Sequence, residues 1–270
     1  MNLKGNLYYM DENLLRNSAW LYDVDNRDNL THDIPFYISY AKNYNCKNIL
    51  ELGCGTGRIT LTLAKEGFNI TGLDLSNEML DVFRQKLDKL DDNAKKKVEL
   101  IHGSMADFNL NKKFDLIIAP FRAFQCLTDD KDIDNSISCI KNHLTDNGIF
   151  IINVFNPDPG RMNENWCHPE RVQWEHSDEN TGNYVIRKYS QDKIDFQNRI
   201  IYVTFIYEVK DKNGNISQIV DKLKLKYYFE NQLQDIVEKA GLKIKETFGW
   251  YDKTSIEEAK RELIFICVKN

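Results

Sequence analysis

The sequence predicts an α/β protein in which a seven-stranded, mostly parallel sheet ends in an antiparallel hairpin and carries an inserted antiparallel β-sheet. Apolar strand-like runs alternate with amphipathic helical patterns from residue 48 to residue 155, which is typical of β-α-β crossovers in a parallel sheet. Between residues 157 and 228 helical periodicity is absent, and runs rich in β-branched and aromatic residues indicate antiparallel strands. A helix and two strands follow, and the short, polar connection between these strands predicts a hairpin.

Length and composition are those of a globular protein rather than of a membrane or nucleic-acid-binding one. The 270 residues are 42% hydrophobic and 29% charged, enough for one large core with a sub-domain. The net charge of −5 argues against the concentrated basic face that nucleic acids require. No run is long and apolar enough to span a membrane, and residues 1–12 lack the apolar centre of a signal peptide. We therefore expect a cytoplasmic protein without nucleic-acid or membrane partners.

The cysteines are scattered along the chain and form no C-x-x-C pair. Such spacing favours buried, reduced thiols over a metal site, so no metal is expected. The six positions are Cys46, Cys54, Cys126, Cys139, Cys167 and Cys267.

A strand, a glycine-rich turn and a helix follow one another near the start of the α/β pattern. The apolar strand Ile49–Leu52 runs into Gly53, Gly55 and Gly57, and a helical pattern begins directly after them. Glycines let the backbone adopt positive φ and approach a ligand closely, and the helix N-terminus offers free N–H groups. The spacing G-x-G-x-G disfavours a dinucleotide pyrophosphate turn, whose glycines follow G-x-G-x-x-G. We expect a ligand with a polar or acidic head at this turn.

The second predicted strand, residues 68–73, ends in Asp74, and Ser76 caps the helix that follows. Asp74 lies about twenty residues after the first glycine, where a carboxylate in nucleotide-binding α/β folds accepts hydrogen bonds from both ribose hydroxyls. The sequence therefore predicts Asp74 as a ribose ligand, and the alternative is a simple turn former.

Three further strands complete the parallel part of the sheet. Residues 98–102 and 114–118 are apolar runs, the second nearly continuous, as in a strand covered on both faces. A helix with apolar residues from Ile133 to Leu144 then leads to a strand at residues 149–155. Ligands of open α/β sheets bind beyond the carboxyl ends of the strands. The loop after residue 118, with its arginine and glutamine, is therefore a candidate ligand contact.

Two of these segments resemble motifs of one enzyme family. Residues 51–57 follow E-x-G-x-G-x-G and resemble the first motif of class I S-adenosylmethionine-dependent methyltransferases, and residues 72–76 resemble the second. The resemblance covers residues 20–155 and 229–268, and it implies a Rossmann-like core, S-adenosyl-L-methionine as the cofactor and a methyltransferase activity. By position in the motifs it implies cofactor contacts at Tyr22, Gly53, Cys54, Gly55, Asp74, Leu75, Met79, Ser104, Met105 and Ala119.

One position departs from the family pattern. The family usually has an acidic residue where Ser104 stands, and that residue meets the adenine amino group. Ser104 can still accept a hydrogen bond, although without a charge. Asp107, three residues further on, is the alternative adenine contact.

The segment before the first strand is expected to cover the strand ends. Residues 13–45 show two apolar helical stripes separated by a polar break. Trp20–Asp23 resembles an element that precedes the first motif in many small-molecule methyltransferases. Residues 1–45 are therefore expected to form a helical cover within a core of residues 1–156 and 229–270, and the alternative is two packing helices.

The insert at residues 157–228 resembles the β-sheet of the glycine N-methyltransferase and amino-sugar N,N-dimethyltransferase group. The resemblance implies a lid over a small-molecule acceptor and a contact for a dimer, so both a monomer and a homodimer remain open. Alternation of Lys222, Lys224 and Lys226 with apolar residues predicts a solvated strand face. The candidate acceptor contacts, each with a structural alternative, are Arg122, Gln125, Trp166, Trp174, Trp250 and Tyr251.

Methyl transfer from a sulfonium is an in-line displacement, so the protein mainly supplies proximity, alignment and exclusion of water. A base is needed only where the acceptor must lose a proton. His168 and His176, at the start of the insert, are the candidates because histidine titrates near neutrality, although both suit an ordinary polar position equally well. A non-catalytic S-adenosylmethionine-binding module, a methyltransferase acting on tRNA or protein, and an oxidoreductase with an unusual glycine turn remain as alternatives.

Overall fold

The structure is a computed structural model that describes residues 15–25, 32–160, 162–163, 166–179 and 181–269. Its strands are β1 (Asn48–Leu52), β2 (Asn69–Asp74), β3 (Val98–His102), β4 (Phe114–Ala119), β5 (Leu144–Phe155), β6 (His168–Ser177), β7 (Tyr184–Asp195), β8 (Ile200–Lys210), β9 (Ile216–Lys226), β10 (Leu242–Phe248) and β11 (Glu262–Lys269). Its α-helices are α1 (Asp33–Asn43), α2 (Arg58–Lys65), α3 (Asn77–Leu87), α4 (Asp92–Lys95), α5 (Asp130–His143), α6 (Glu230–Lys239) and α7 (Ile256–Ala259).

Seven strands form the main sheet in the order β10-β11-β5-β4-β1-β2-β3. The first five strands of the chain pair in parallel, whereas β11 lies antiparallel to both β5 and β10. The predicted fold class is confirmed, including the final hairpin. This order places the carboxyl ends of β1, β2, β4 and β5 along one edge of the sheet, which is where ligands bind in open α/β folds.

Helices cover both faces of the main sheet because its inner strands are apolar on both sides. Helices α5 and α6 bury Ile137 and Leu233 on one face together with Phe150 of β5. Helices α1 and α2 bury Phe36 and Leu63 on the opposite face. Alternate residues of β5 thus reach different cores, as the pleat of a strand requires.

The insert is a separate antiparallel sheet in the order β6-β7-β8-β9. Gly214, with φ of 86°, forms part of the hairpin turn between β8 and β9. Residues 15–25 pack on this sheet: Leu21 is fully buried against Trp174 and Tyr207. The Asp221 carboxylate of β9 also accepts hydrogen bonds from two backbone N–H groups of this segment, at 3.2 and 2.9 Å.

Two expected element boundaries were wrong. The first helical pattern, predicted from residue 13, is a short 3-10 helix, Ala19–Val24, in the part that the structure describes. Residues 13 and 14, and residues 26–31 of the polar break predicted at 23–33, lie outside the described residues. The contacts with Asp221 fix the backbone there in a turn, which competes with helix formation. Strand β5 begins at Leu144 rather than at residue 149, because Leu144 pairs with Phe114, and a register shift between this pair and the pair Leu116–Ile149 accommodates the extra residues of β5.

The prediction that the lysines of β9 form a solvated face was wrong at one position. Lys222 is exposed, but Lys226 is only 3% exposed. Its Nζ lies 2.5 Å from Asp130 Oδ1 and 3.2 Å from the carbonyl oxygen of Thr128. An ion pair and a carbonyl at the start of α5 thus compensate the burial of this charge, and they attach the end of the insert to the core.

Among the described residues, no helix combines the length and apolar character that crossing a bilayer requires. All six cysteines are free thiols. Within the same residues, no cluster of three histidine, cysteine or acidic side chains has the arrangement of a metal site.

Candidate functional site

The glycine turn after β1 has three residues in the left-handed region, with φ of 72° at Gly53, 53° at Gly55 and 84° at Gly57. A Cβ on Gly57 would lie 2.6 Å from the Phe83 ring, and one on Gly53 would lie 2.7 Å from Ala123 Cβ. A Cβ on Gly55 would meet no atom within 4 Å. Packing therefore explains two of the glycines, whereas Gly55 borders open space, as expected where a backbone approaches a ligand.

The Asp74 carboxylate lies at the same opening. It accepts hydrogen bonds from the N–H of Gly55 at 2.7 Å and of Ser76 at 2.8 Å, one on each oxygen. Burial raises the pKa of Asp74, and the N–H groups of Ser76, Gly55 and Leu75 act against that rise. A carboxylate has about four acceptor positions, so these contacts leave room for a ligand hydroxyl. The geometry thus fits the predicted ribose contact.

The other predicted cofactor contacts surround this opening unequally. Leu75 is 44% exposed beside Asp74, while Met79 is buried below it in α3. Met105 lies next to Gly53, and Ala119 is fully buried at the end of β4. Cys54 packs its thiol against Gly72 and joins a buried cluster with Phe83, so only its backbone borders the turn.

The adenine contact stays a prediction. Ser104 Oγ accepts a hydrogen bond from the Ala106 N–H at 3.1 Å and so stabilises its own turn. Its hydroxyl proton remains available to a ligand. Asp107 is exposed, and the Gly103 N–H binds the Asp74 carbonyl oxygen at 2.9 Å, which sets this loop beside the ribose position.

The cover segment reaches the glycine turn through polar contacts. Asp23 accepts hydrogen bonds from Thr56 Oγ1 and Lys86 Nζ, both at 2.8 Å. Next to it, burial raises the pKa of Tyr22 to about 12, so its hydroxyl remains a neutral donor. Residues 15–25 thus connect the insert to the turn that carries Gly55.

A second tether joins α1 to the start of α2. The Arg58 guanidinium binds the Asp33 carboxylate through two hydrogen bonds of 2.7 Å. The Asp33 side chain is 3% exposed and that of Arg58 23% exposed. This paired, fork-like geometry is the strongest form of an arginine–carboxylate contact.

Beyond the ends of β4 and β5, an ion pair joins two residues that are far apart in the chain. Arg122 binds Glu262, the first residue of β11, with Nη2–Oε1 at 2.5 Å and Nε–Oε2 at 3.4 Å. Asn153 of β5 donates its Nδ2 to Glu262 Oε2 at 3.0 Å. Arg122 also lies over the Phe155 ring, whose centroid is 5.9 Å from that of Trp166 in the insert.

Several predicted acceptor contacts gather near this ion pair. Gln191 accepts a hydrogen bond from Tyr189 OH at 2.9 Å and donates to the Trp166 carbonyl oxygen at 2.9 Å. The His168 ring lies 5.0 Å from that of Tyr189. On the core side, the rings of Trp250 and Tyr251 are in tilted contact, with centroids 5.2 Å apart.

Other predicted contacts are placed elsewhere. Gln125 is fully buried, donates to the Lys226 carbonyl oxygen at 2.8 Å and accepts from the Phe155 N–H at 2.9 Å. Both ends of its amide are therefore occupied by backbone, and its predicted acceptor contact must be corrected to a structural one. Trp174 is 6% exposed in the interior of the insert and stacks on His176, with ring centroids 5.2 Å apart.

Sequence reasoning missed Asp33, Arg58, Asn153 and Glu262. A weak signal was present for two of them, because Asn153 and Glu262 are polar residues in otherwise apolar strands. Each is almost completely buried, and buried polar groups of this kind require partners. Nothing local to the sequence identified those partners.

Glu51, in the strand before the glycine turn, is buried and receives a hydrogen bond from Thr60 Oγ1. Burial raises its pKa from 4.5 to about 8, against the opposing effects of Thr60 and Arg58. Between these pH values the folded state binds a proton that the unfolded state has lost. Stability should therefore fall as pH rises through this window, by at most about 1.4 kcal/mol per pH unit.

We expect Glu51→Gln to flatten this pH dependence, because the amide keeps the shape and does not titrate. Urea unfolding from about pH 5 to pH 8 measures it. The exposed Glu66, which pairs with Lys42, provides the control variant Glu66→Gln. Equal slopes in the wild type and in Glu51→Gln would show that Glu51 is charged in the folded protein.

The comparisons with known proteins agree with this geometry. Residues 49–148 match a family model described as a methyltransferase domain. These residues are a methyltransferase domain. The family predicted from the glycine and aspartate motifs is thereby confirmed.

Curated relatives of the methyltransferase domain align over part of their length. A putative methyltransferase of Geobacillus sp. (strain WCH70) is 30% identical over 108 residues, which cover 40% of this chain and 42% of the relative. The dTDP-3-amino-3,4,6-trideoxy-alpha-D-glucopyranose N,N-dimethyltransferase of Streptomyces venezuelae is 25% identical over 166 residues, 56% of this chain and 61% of the relative. The chain therefore spans about half the length of these relatives.

Solved methyltransferase structures align with nearly the whole chain. The CcbJ methyltransferase from Streptomyces caelestis has a TM-score of 0.75 at 22% identity, covering 96% of this chain and 99% of that one. CalS10 from Micromonospora echinaspora, an amino pentose methyltransferase solved with S-adenosylmethionine bound, has a TM-score of 0.66 at 20% identity, covering 93% and 95%. This similarity shows a shared fold, and the cofactor of CalS10 is the one that the motifs predict.

Proposed function

We propose that the chain transfers the methyl group of S-adenosylmethionine to a nitrogen or oxygen of a small-molecule acceptor by in-line displacement. The observation that carries the proposal is the open space at Gly55, bordered by the Asp74 carboxylate at 2.7 Å from the Gly55 nitrogen. The names of the Streptomyces venezuelae relative and of CalS10, which act on amino sugars, favour nitrogen as the acceptor atom.

Different residues of the chain bind the cofactor and the acceptor in this reaction. S-adenosylmethionine, when bound, supplies the activated methyl group on its sulfonium. Asp74 accepts hydrogen bonds from the ribose, and the backbone at Gly53 and Gly55 frames the methionine part. The acceptor lies beyond β4, between Arg122 and the aromatic residues Trp166 and Tyr251. Alignment and exclusion of water then supply most of the rate enhancement.

Where the acceptor must lose a proton, His168 is the proposed base. Its ring is beside Tyr189, which connects through Gln191 to Trp166. His176 stacks on the buried Trp174 instead, within the interior of the insert. That environment suits a structural side chain better than one that meets a substrate.

We also propose that residues 157–228 act as a lid over the acceptor. Phe155 is the last residue of β5 before the insert, and Lys226 is the last residue of β9 before the chain returns to the core. Gln125 holds both residues by hydrogen bonds to their backbone. Gln125 follows Arg122 by three positions. One short loop therefore contacts the lid through Gln125 and carries the proposed acceptor contact Arg122.

Mass spectrometry of the purified protein with S-adenosylmethionine and a panel of amino sugars tests the function. Panel members with a hydroxyl in place of the amine distinguish nitrogen from oxygen transfer. We expect a methylated product together with S-adenosylhomocysteine. Transfer only to tRNA or to protein would contradict the small-molecule acceptor, and calorimetric binding of NAD in place of S-adenosylmethionine would contradict methyl transfer altogether.

We expect Asp74→Ala to weaken S-adenosylmethionine binding by about tenfold or more, because two ribose hydroxyls lose their acceptor at a cost of about 1–3 kcal/mol. Calorimetric titration measures the affinity. Asp146→Ala removes a solvent-exposed carboxylate and should leave the affinity unchanged. Unaltered binding by a folded Asp74→Ala protein would refute the ribose contact.

A further inference from the structure

The backbone is strained where the chain leaves β4. Phe121 and Arg122 are consecutive non-glycine residues in the left-handed region, with φ of 49° and 67°. Such conformations disfavour L-residues, and they persist where the surrounding structure imposes them, often at ligand sites. Both side chains remain open to solvent: Phe121 is 42% exposed and the Arg122 side chain 49%. The strain therefore holds an aromatic ring and a guanidinium at the surface instead of burying them.

The Arg122 side chain is fixed from behind by a buried carboxylate. Glu262 is 6% exposed in its side chain and receives Nε and Nη2 of Arg122. Asn153 Nδ2 donates to the same carboxylate. A carboxylate only accepts hydrogen bonds, so this contact also determines which way the Asn153 amide points. Glu262 and Asn153 are thus positioning residues for the guanidinium.

Part of the guanidinium is left without a partner. A guanidinium has five N–H donors in a fixed plane, and Glu262 takes two of them. Within the described residues, no further hydrogen bond of the Arg122 side chain occurs. The remaining donors form the open edge of a side chain that is 49% exposed and that follows the carboxyl end of β4, where α/β sheets bind ligands.

We propose that this open edge of Arg122 binds an oxyanion of the methyl acceptor, either a carboxylate or a phosphate group. The inference rests on the proposed function, since it assigns a chemical class to the acceptor of that reaction. Arginine suits the task because its planar donors match two oxygens of either anion at once, which a lysine ammonium does not. The Phe155 ring below the guanidinium, at 5.7 Å, and Glu262 behind it keep the fork in one orientation.

Side-chain NMR of 15N-arginine-labelled protein, loaded with S-adenosylhomocysteine, tests the proposal without requiring the natural acceptor. Sodium phosphate and sodium acetate are titrated separately, with sodium chloride holding the ionic strength constant. Arg122→Lys identifies the signal of the Arg122 Nη–H groups, which include the donors left open by Glu262, by its disappearance. We expect a saturable shift of that signal with at least one anion. A shift with phosphate alone indicates a phosphorylated acceptor, and one with acetate alone indicates a carboxylic acid. Absence of saturation with both would overturn the proposal.

Calorimetry of the same anion on variants provides the matched comparison. Arg122→Gln should weaken binding by about tenfold or more. Arg84→Gln makes the same charge change at a surface arginine that is 48% exposed and paired with Asp81, and it should have no effect. Equal losses of anion affinity in the two variants would mean that only the net charge of the protein matters, and they would refute the site. Arg122→Lys keeps the charge without the fork, so it should lie between the wild type and Arg122→Gln even if the glutamine variant is unstable.

The outcomes of this test and of the transfer assay are distinguishable. Methylation of an uncharged amino sugar without any anion binding at Arg122 would reject the inference and leave the function intact. Saturable anion binding in a protein that methylates no small molecule would reject the proposed function, and Arg122 would then be an anion site without a methyl acceptor.

Discussion

Gly55→Val is expected to abolish S-adenosylmethionine binding while the fold persists. The space at Gly55 is open in the protein, so a valine side chain would meet no protein atom at its Cβ and would enter the position of the ligand instead. The left-handed φ of 53° adds backbone strain of about 1–3 kcal/mol. Calorimetry should detect no heat of cofactor binding, and far-ultraviolet circular dichroism should stay near that of the wild type.

The control for this variant is Gly67→Val. Gly67 also has a positive φ, 94°, and also has no atom within 4 Å of an added Cβ, but it lies at the end of α2, away from Asp74. A valine there is therefore also strained by a positive φ, but it is not at the predicted ligand position. Loss of cofactor binding in Gly55→Val alone supports the site. Normal binding by Gly55→Val would show that the turn is only a structural bend.

Arg58→Leu is expected to cost about 3–5 kcal/mol of unfolding free energy, because removing one partner of a buried ion pair leaves an uncompensated charge. The remaining charge is on Asp33, whose side chain is 3% exposed. Because Asp33 belongs to α1, the attachment of this helix to the glycine turn before α2 should also weaken. Urea unfolding measures the first effect, and faster hydrogen exchange in α1 measures the second.

Arg84→Leu is the comparison for this variant. Arg84 pairs with Asp81 in an exposed i,i+3 arrangement with a distance of 2.6 Å. Pairs of this kind contribute about 0–1 kcal/mol. A similar loss of unfolding free energy in the two variants would mean that burial does not make the Arg58–Asp33 pair more important for stability than an exposed pair.

The sequence by itself determined the parts of this protein that depend on neighbours in the chain. A strand, glycines with fixed spacing and a capped helix predict a ligand turn, because positive φ and free helix N–H groups are local properties. Hydrophobic periodicity likewise separated the parallel core from the antiparallel insert, since it reports which faces are buried. The position of Asp74 at the end of β2 also follows from that pattern.

The tertiary structure alone decided which polar side chains meet. Arg122 and Glu262 are 140 residues apart, and Gln125 and Lys226 are 101 apart. Periodicity shows that a residue is buried, but it does not identify the residues that pack against it, because these depend on strand order. Because of this strand order, Lys226 is buried, although a solvated lysine was predicted. For the same reason Gln125 holds the insert, although a contact with the acceptor was predicted. Burial of a charge is stable only with a partner, and the chain topology supplies that partner.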